Sequence, residues 1–151
     1  MQYVLSSVVA LLLAFAIGEP SSRPEGNLHR LTIYRLHDAD TISDCNINLG
    51  FNVTLMHQSI RLMGFDAPEV SRTRQGVEIT DEEIVLGKEA RDALKDLLLE
   101  GTAYISPAAN YKDPRGRQGG WLYIYRESEW LDVAEWAKEH GYVRVNDRET
   151  K

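Results

Sequence analysis

The sequence predicts one small domain that is mainly β-sheet with two helices, and three observations support this fold class. Its 151 residues are enough for one domain and leave little room for a second. Hydrophobic residues make up 43% and charged residues 26%, so the chain can build a core and is not disordered by composition. Short β-prone runs outnumber the stretches whose apolar residues recur at helical spacing.

Five short runs have the composition of β-strands. They are residues 31–34, 41–49, 51–65, 102–106 and 121–125. Apolar and polar residues alternate in the second run, and Gly50 supplies the turn before the third. A polar, Gly-rich loop separates the last two runs.

Two amphipathic helices complete the predicted elements, and the first has an apolar stripe formed by Leu86, Ala90, Ala93, Leu94, Leu97 and Leu98. Thr80 and Glu83 match a capping box, and Gly101 lies where the first helix is expected to end. The second helix is expected at about residues 131–140. The order is therefore β-β-β-α-β-β-α. Five strands are too few, and the order of strands and helices is too mixed, for a parallel α/β sheet. A five-stranded, OB-fold-like barrel capped by two helices fits best.

The N-terminus has the features of an export signal. Residues 3–18 carry no charge and would span about 24 Å as a helix, less than the ~30 Å of a bilayer core. Ala14-Phe15-Ala16 offers a cleavage site. We therefore expect a secreted, periplasmic or cell-envelope protein. The alternatives are an uncleaved anchor that associates with a membrane and a buried core helix. The expected divisions are a signal at 1–18, a linker at 19–27, the domain at 28–146 and a tail at 147–151.

Charge and cysteine content exclude several classes of function. Asp and Glu number 23 against 17 Lys and Arg, and a net charge of -6 excludes a histone-like binder that needs a broad basic excess. The single cysteine, Cys45, excludes an internal disulfide framework, and with only four histidines it also excludes a Cys-rich zinc module. Any chemistry must come from oxygen and nitrogen groups.

Acids and arginines are concentrated where predicted strands end. They occupy residues 37–41, 61–69 and 112–117, which a barrel can bring together. Oxygen ligands suit a hard cation such as Ca²⁺ or Mg²⁺, and adjacent arginines suit phosphate. Each segment also has a plainer interpretation, as turn-forming acids or as solvated surface arginines.

Three motifs, in order, resemble the staphylococcal nuclease-like (thermonuclease) family. They are Asp-x-Asp-Thr at residues 38–41, Arg-(x)4-Asp-x-Pro-Glu at residues 61–69, and Asp-x-x-Gly-Arg at residues 113–117. The resemblance covers about residues 31–145. It implies a monomer that cleaves DNA or RNA with Ca²⁺, breaking the 5′ P–O bond and leaving a 3′-phosphate.

The resemblance also implies a cation site. Asp40 and Asp66 match the family's Ca²⁺ ligands, and the main-chain carbonyl of Ala67 adds a third. The family commonly has Thr at the position of Ala67, so a hydroxyl is lost while the carbonyl is kept. Asp38 is expected to lie behind these ligands.

Three further residues match the family's catalytic groups. Glu69 corresponds to the proposed general base, and Arg61 and Arg117 correspond to the pair that clamps the phosphodiester. Because Arg61 and Asp66 are five residues apart, a regular strand would place them on opposite faces. We therefore expect a bulge or bend at Gly64.

The sequence also departs from the family pattern. Arg115 stands where many members have a phosphate-binding tyrosine, and the family's third helix has no counterpart after about residue 145. Two other functions remain open. One is a non-catalytic nuclease-like domain that binds nucleic acid or protein at the cell envelope, and the other is a membrane-anchored interaction protein.

Overall fold

The computed structural model describes residues 21–72, 76 and 78–144. Within these residues, the elements are β1 (His29–Asp38), β2 (Thr41–Gly50), β3 (Val53–Leu62), α1 (Asp81–Leu99), β4 (Thr102–Pro107), β5 (Gln118–Arg126), β6 (Glu129–Asp132) and α2 (Val133–Glu139). The predicted mainly β domain with two helices is confirmed. The expected signal or anchor and the expected tail lie outside the described residues.

The first five strands close into a barrel. Their hydrogen-bonded order is β3-β2-β1-β4-β5, and the two ends meet because β3 also pairs in parallel with β5. Arg61 is opposite Gly119 in that parallel pair. A closed barrel of five strands confirms the OB-fold-like architecture. The closure places the end of β3 beside the start of β5, which brings two of the predicted site segments together.

The second half of the barrel differs from the prediction in two places. A sixth strand, β6, occupies the start of the predicted second helix and pairs with β5 through a hairpin turn at Glu127 and Ser128, whose φ angles are 47° and 66°. Asp132 then caps α2 by accepting a hydrogen bond from Ala134 N–H at 2.8 Å. In addition, residues 118–120 belong to β5 and not to the preceding loop.

Helix α1 packs against the barrel through the apolar stripe that the sequence predicts. Thr80 caps the helix, since its hydroxyl accepts from Glu83 N–H at 3.1 Å. Ala90, Leu94 and Leu97 are buried in the core. Burying one leucine side chain contributes roughly 1.5–3 kcal/mol, so this face anchors the helix to the barrel. No helix among the described residues is long and apolar enough to cross a membrane.

Candidate active site

One end of the barrel carries a polar cleft of about 780 Å³. It lies between the β1–β2 turn, the segment that follows β3 and the loop that precedes β5. All eight predicted site residues line it: Asp38, Asp40, Arg61, Asp66, Ala67, Glu69, Arg115 and Arg117. Segments remote in sequence meet here, since Arg117 Nη1 is 3.4 Å from the hydroxyl of Thr41, 76 residues earlier.

Asp40 lies at the floor of this cleft, with 1% of its surface exposed. Its Oδ1 accepts hydrogen bonds from Arg61 and from the Thr41 hydroxyl (3.1 Å), and its Oδ2 accepts from Ala67 N–H at 2.6 Å. Burial and the neighbouring Asp38 carboxylate raise the pKa of Asp40 to about 8, although Arg61 acts in the opposite direction. Further positive charge at this carboxylate would stabilise its ionised form.

Asp38 has the contacts of a turn residue. Its Oδ1 accepts from Asp40 N–H at 3.2 Å, as in an Asx turn. Its side chain also lines the cleft and is buried. Asp38 therefore fixes the backbone that carries Asp40 and adds a second negative charge beside it.

A bend at Gly64 allows Arg61 to reach Asp66. Gly64 has a φ of 95°, a conformation that favours glycine, and a Cβ added there would lie 2.8 Å from the Cβ of Ala134. The predicted bend at this glycine is therefore confirmed. Arg61 Nη2 donates to Asp66 Oδ1 while Nη1 donates to Asp40 Oδ1. Arg61 thus bridges the two carboxylates that the resemblance assigns to Ca²⁺.

The donor set of Asp40, Asp66 and the Ala67 carbonyl consists of oxygen atoms only, which is the ligand chemistry of Ca²⁺. Within the part of the chain that the structure describes, no group of three or more His, Cys, Asp or Glu side chains could hold a metal ion. Arg61 supplies the positive charge between the two carboxylates. The donor set fits a hard cation in kind, and Arg61 contacts one oxygen of each carboxylate.

The second predicted arginine, Arg117, is held by Asp113. Arg117 Nε and Nη2 donate to the two carboxylate oxygens of Asp113 at 2.7 and 3.1 Å, and Arg117 N–H donates to the same carboxylate. These hydrogen bonds lower the pKa of Asp113 to about 2. The fork fixes the plane of the guanidinium group and leaves Nη1 on the side of Thr41.

Glu69 shares an arginine with Glu83 of α1, an arrangement that no sequence motif predicts. Arg144 Nε is 3.0 Å from Glu83 Oε1, and Arg144 Nη1 is 3.8 Å from Glu69 Oε1. Glu83 Oε1 also accepts from Glu69 N–H at 3.3 Å, and Arg144 N–H donates to Asp66 C=O at 2.8 Å. Arg144 therefore ties the segment after α2 to the proposed base, to α1 and to the chain beside Asp66.

The outer part of the cleft is formed by Arg115 and Tyr111. Arg115, which the resemblance offers as a phosphate contact in place of the family tyrosine, is exposed and lines the cleft. Tyr111 was not predicted and lies over Gly119, where an added Cβ would be 2.4 Å from the tyrosine ring. An aromatic ring is thus present in this loop, four residues before Arg115.

The charges that line the cleft nearly cancel. Five carboxylates and four guanidinium groups line it: Asp38, Asp40, Asp66, Glu69 and Asp113, with Arg61, Arg115, Arg117 and Arg144. Mutual pairing therefore holds many of these groups in place without a ligand, and the same groups are suited to a cation and to a phosphate. No model of a known protein family matches the chain, and no curated protein matches it.

Proposed function

We propose that this domain is an exported, Ca²⁺-dependent nuclease of the thermonuclease-like family, which hydrolyses phosphodiester bonds of DNA or RNA to 3′-phosphate products. One observation carries the proposal: Asp40, Asp66, Glu69, Arg61 and Arg117 line a single cleft. A surface that only binds nucleic acid needs arginines but not carboxylates buried beside them. Hydrolysis of a phosphodiester uses both, because charge must be offset and water must be activated.

Arg61 and Arg117 would clamp the phosphodiester. Their side chains are 24% and 18% exposed, so they can contact a ligand while being partly shielded from water. Shielding strengthens charge interactions, and a guanidinium group binds two phosphate oxygens as a fork. The two groups would therefore offset the negative charge that grows on the phosphate oxygens in the transition state.

Glu69 would act as the general base. Its carboxylate is 21% exposed and faces Arg144, which Glu83 holds from the other side. The carboxylate would accept a proton as water attacks phosphorus in line. The 5′ P–O bond then breaks, the leaving oxygen takes a proton from solvent, and the phosphate stays on the 3′ oxygen. A positioned base of this kind contributes about 10²–10⁴-fold to the rate.

Asp40, Asp66 and the Ala67 carbonyl would hold Ca²⁺. The ion, when bound, would neutralise charge on the phosphodiester and on the attacking oxygen. Arg61, which donates to both Asp40 and Asp66, would contact the substrate phosphate beside this site.

A second candidate is a non-catalytic domain that binds nucleic acid or protein at the cell envelope. The pairing of arginines with acids favours it. In Arg61–Asp40 and in Arg117–Asp113 the two side chains offset each other's charge, so neither pair needs a bound cation. A folded protein that binds an oligonucleotide and cleaves none would support this candidate.

A pair of matched variants tests the proposed base. Glu69→Gln removes the carboxylate proposed as the base from the cleft, and Glu82→Gln removes an exposed carboxylate from the first turn of α1. We expect Glu69→Gln to lower the rate of DNA cleavage in Ca²⁺ by about 10²-fold or more and Glu82→Gln to leave it close to the parent rate. Circular dichroism would show that both variants fold. Equal rates for the parent and Glu69→Gln would refute the assignment of the base.

A further inference from the structure

A second depression in the surface runs along β1, on the side of the barrel that faces the end of α1. We call it the β1 groove. It has a volume of about 570 Å³ and is lined by residues 30–36 of β1, by residues of the last turns of α1, and by the start of β4. The groove forms where β1 and β4 separate. The two strands pair at His29–Ile105 and Arg30–Tyr104, and no further described residues of these strands pair.

The β1 groove is basic although the chain is acidic. Arg30, Arg35 and Lys95 line it, and none of its described lining residues is Asp or Glu, in a chain of net charge -6. Lys95 Nζ is 3.2 Å from Asp92, but both side chains are more than half exposed, so this pair neutralises the groove only weakly. A local excess of cations on an acidic protein favours an anionic ligand.

The floor and walls of the β1 groove suit the bases of a nucleic acid strand. Leu31, Leu36 and Ala103 are buried beneath it, while Leu99 at its edge is 86% exposed. Tyr34 also lines it and is 57% exposed. Sites for single strands combine a basic track for phosphates with apolar or aromatic surfaces for bases, and this groove has both.

The β1 groove and the candidate active site lie along the same strand. Residues 30–36 of β1 line the groove, and His37, Asp38 and Asp40 line the cleft. At the junction, Arg35 Nε donates to the hydroxyl of Ser43 at 3.0 Å, and Ser43 lines the cleft. A regular strand rises about 3.3 Å per residue, so Arg30 and Asp38 are at most about 26 Å apart along β1. OB-folds bind roughly 4–16 nucleotides of a single strand, and a path of this length suits the short end of that range.

We propose that the β1 groove is a second binding site for nucleic acid, which holds the phosphates of a single strand beyond the bond in the cleft. Arg30 and Lys95 contact phosphates, and Tyr34 and Leu99 contact bases. That the groove holds a substrate of the cleft rests on the proposed nuclease function, whereas binding of nucleic acid by the groove does not. Because of the groove, the affinity of the protein for a single strand depends on the length of that strand.

The test compares two double variants with the same change in charge. Arg30→Gln/Lys95→Gln removes two cations of the groove. Arg23→Gln/Lys138→Gln is the control. Arg23 is exposed, and Lys138 pairs with an acid three residues earlier, as Lys95 does. Neither control residue lines the groove or the cleft. Binding of fluorescent oligothymidylate about 12 nucleotides long is measured at several salt concentrations with chelator, so that no cleavage occurs. KM is then measured in Ca²⁺ for this oligonucleotide and for a dinucleotide.

Each phosphate contact to a single strand contributes about 0.7 to the salt slope. The groove variant should therefore lose about 1.4 in slope and about 25-fold in affinity near 0.1 M salt. Its KM should rise by a similar factor for the oligonucleotide and much less for the dinucleotide. The control variant should keep more than two thirds of the parent affinity for the oligonucleotide. Equal losses in both double variants would overturn the proposal, since they would show a general effect of charge.

The two proposals fail in different ways. If no protein cleaves either substrate but only the groove variant binds the oligonucleotide more weakly, the nuclease is refuted and the groove is supported. If the parent cleaves DNA and both double variants match it in affinity and KM, the groove is refuted and the nuclease is supported. If the groove variant binds phosphatidylserine vesicles more weakly than the parent but binds the oligonucleotide equally well, the groove is a membrane-binding surface and its role with nucleic acid is refuted.

Discussion

The guanidinium group of Arg61 donates a hydrogen bond to the buried carboxylate of Asp40, and this contact joins β3 to the turn between β1 and β2. The Asp40 side chain is 2% exposed and that of Arg61 is 24% exposed. Because burial and Asp38 raise the pKa of Asp40 to about 8, this carboxyl is ionised mainly in alkaline solution, where loss of Arg61 leaves a buried charge without compensation. The stability of the cation-free protein should therefore depend on Arg61.

At about pH 9 and in the presence of chelator, Arg61→Met should lower the free energy of unfolding by about 2 kcal/mol, less than for a fully buried pair because Arg61 is partly exposed. Adding Asp40→Asn should recover much of the loss, since no buried charge remains. Urea denaturation measures both effects. Arg126→Met, which removes a partly exposed arginine paired with the more exposed Glu100, is the control and should cost less than about 1 kcal/mol. A double variant less stable than Arg61→Met would contradict the account.

The Asp113–Arg117 pair should produce a pH dependence in the acid range. Arg117 lowers the pKa of Asp113 from its ordinary value of 3.8 to about 2, so between these values the unfolded chain binds more protons than the folded protein. The stability from this pair is present above about pH 4 and is lost as the pH falls through about 2. The difference in unfolding free energy between the parent and Asp113→Asn should shrink across this window. A difference that stays constant with pH would show that the pair contributes no such dependence.

Arg144 should position Glu69 for catalysis. Arg144→Gln removes the contact with Glu69 and the stronger one with Glu83, and should lower kcat by about tenfold with a smaller change in KM, because a misplaced base slows the reaction more than it weakens binding. Arg144→Lys keeps the charge and should recover part of kcat. Steady-state kinetics with DNA separates the two constants. Failure of the lysine variant to exceed the glutamine variant would indicate that the charge of Arg144 has no such role.

Gly64→Ala should destabilise the fold more than an alanine at a comparable glycine. Both Gly64 and Gly116 have positive φ, 95° and 75°, but only Gly64 has a close neighbour, the Ala134 Cβ at 2.8 Å. Gly116→Ala should cost about 1 kcal/mol from φ alone, and Gly64→Ala about 2–3 kcal/mol because a clash is added. Thermal or urea unfolding measures the difference. Equal costs would mean that the segment after β3 moves aside easily.

Much of the scaffold could be predicted because its signals are local. The spacing of Ala90, Leu94 and Leu97 predicts the buried face of α1, and the Thr80 cap predicts its start. The five-residue separation of Arg61 and Asp66 predicts a bend, and glycine is the residue that permits one. In each case the chain within a few residues carries the information.

The parts that were missed depend on contacts between distant segments or on unusual turn residues. The hairpin before β6 uses Glu127 and Ser128 at positive φ, where glycine or asparagine would have signalled a turn. The capping box predicts that the Glu83 side chain turns back to Thr80, but its Oε1 accepts from Glu69 N–H and pairs with Arg144. Arg144 stands outside every motif of the sequence, so no periodicity or spacing could link it to the cleft.

The proposed activity of the cleft is hydrolysis of phosphodiester bonds with Ca²⁺. Mass spectrometry can test it on the products from a single-stranded oligonucleotide, incubated with the purified protein in Ca²⁺ or in chelator, beside the Glu69→Gln variant. We expect fragments that end in a 3′-phosphate, formed in Ca²⁺ and suppressed by chelator and by the variant. Intact oligonucleotide after incubation with folded protein in Ca²⁺, or fragments with a 5′-phosphate, would refute this activity.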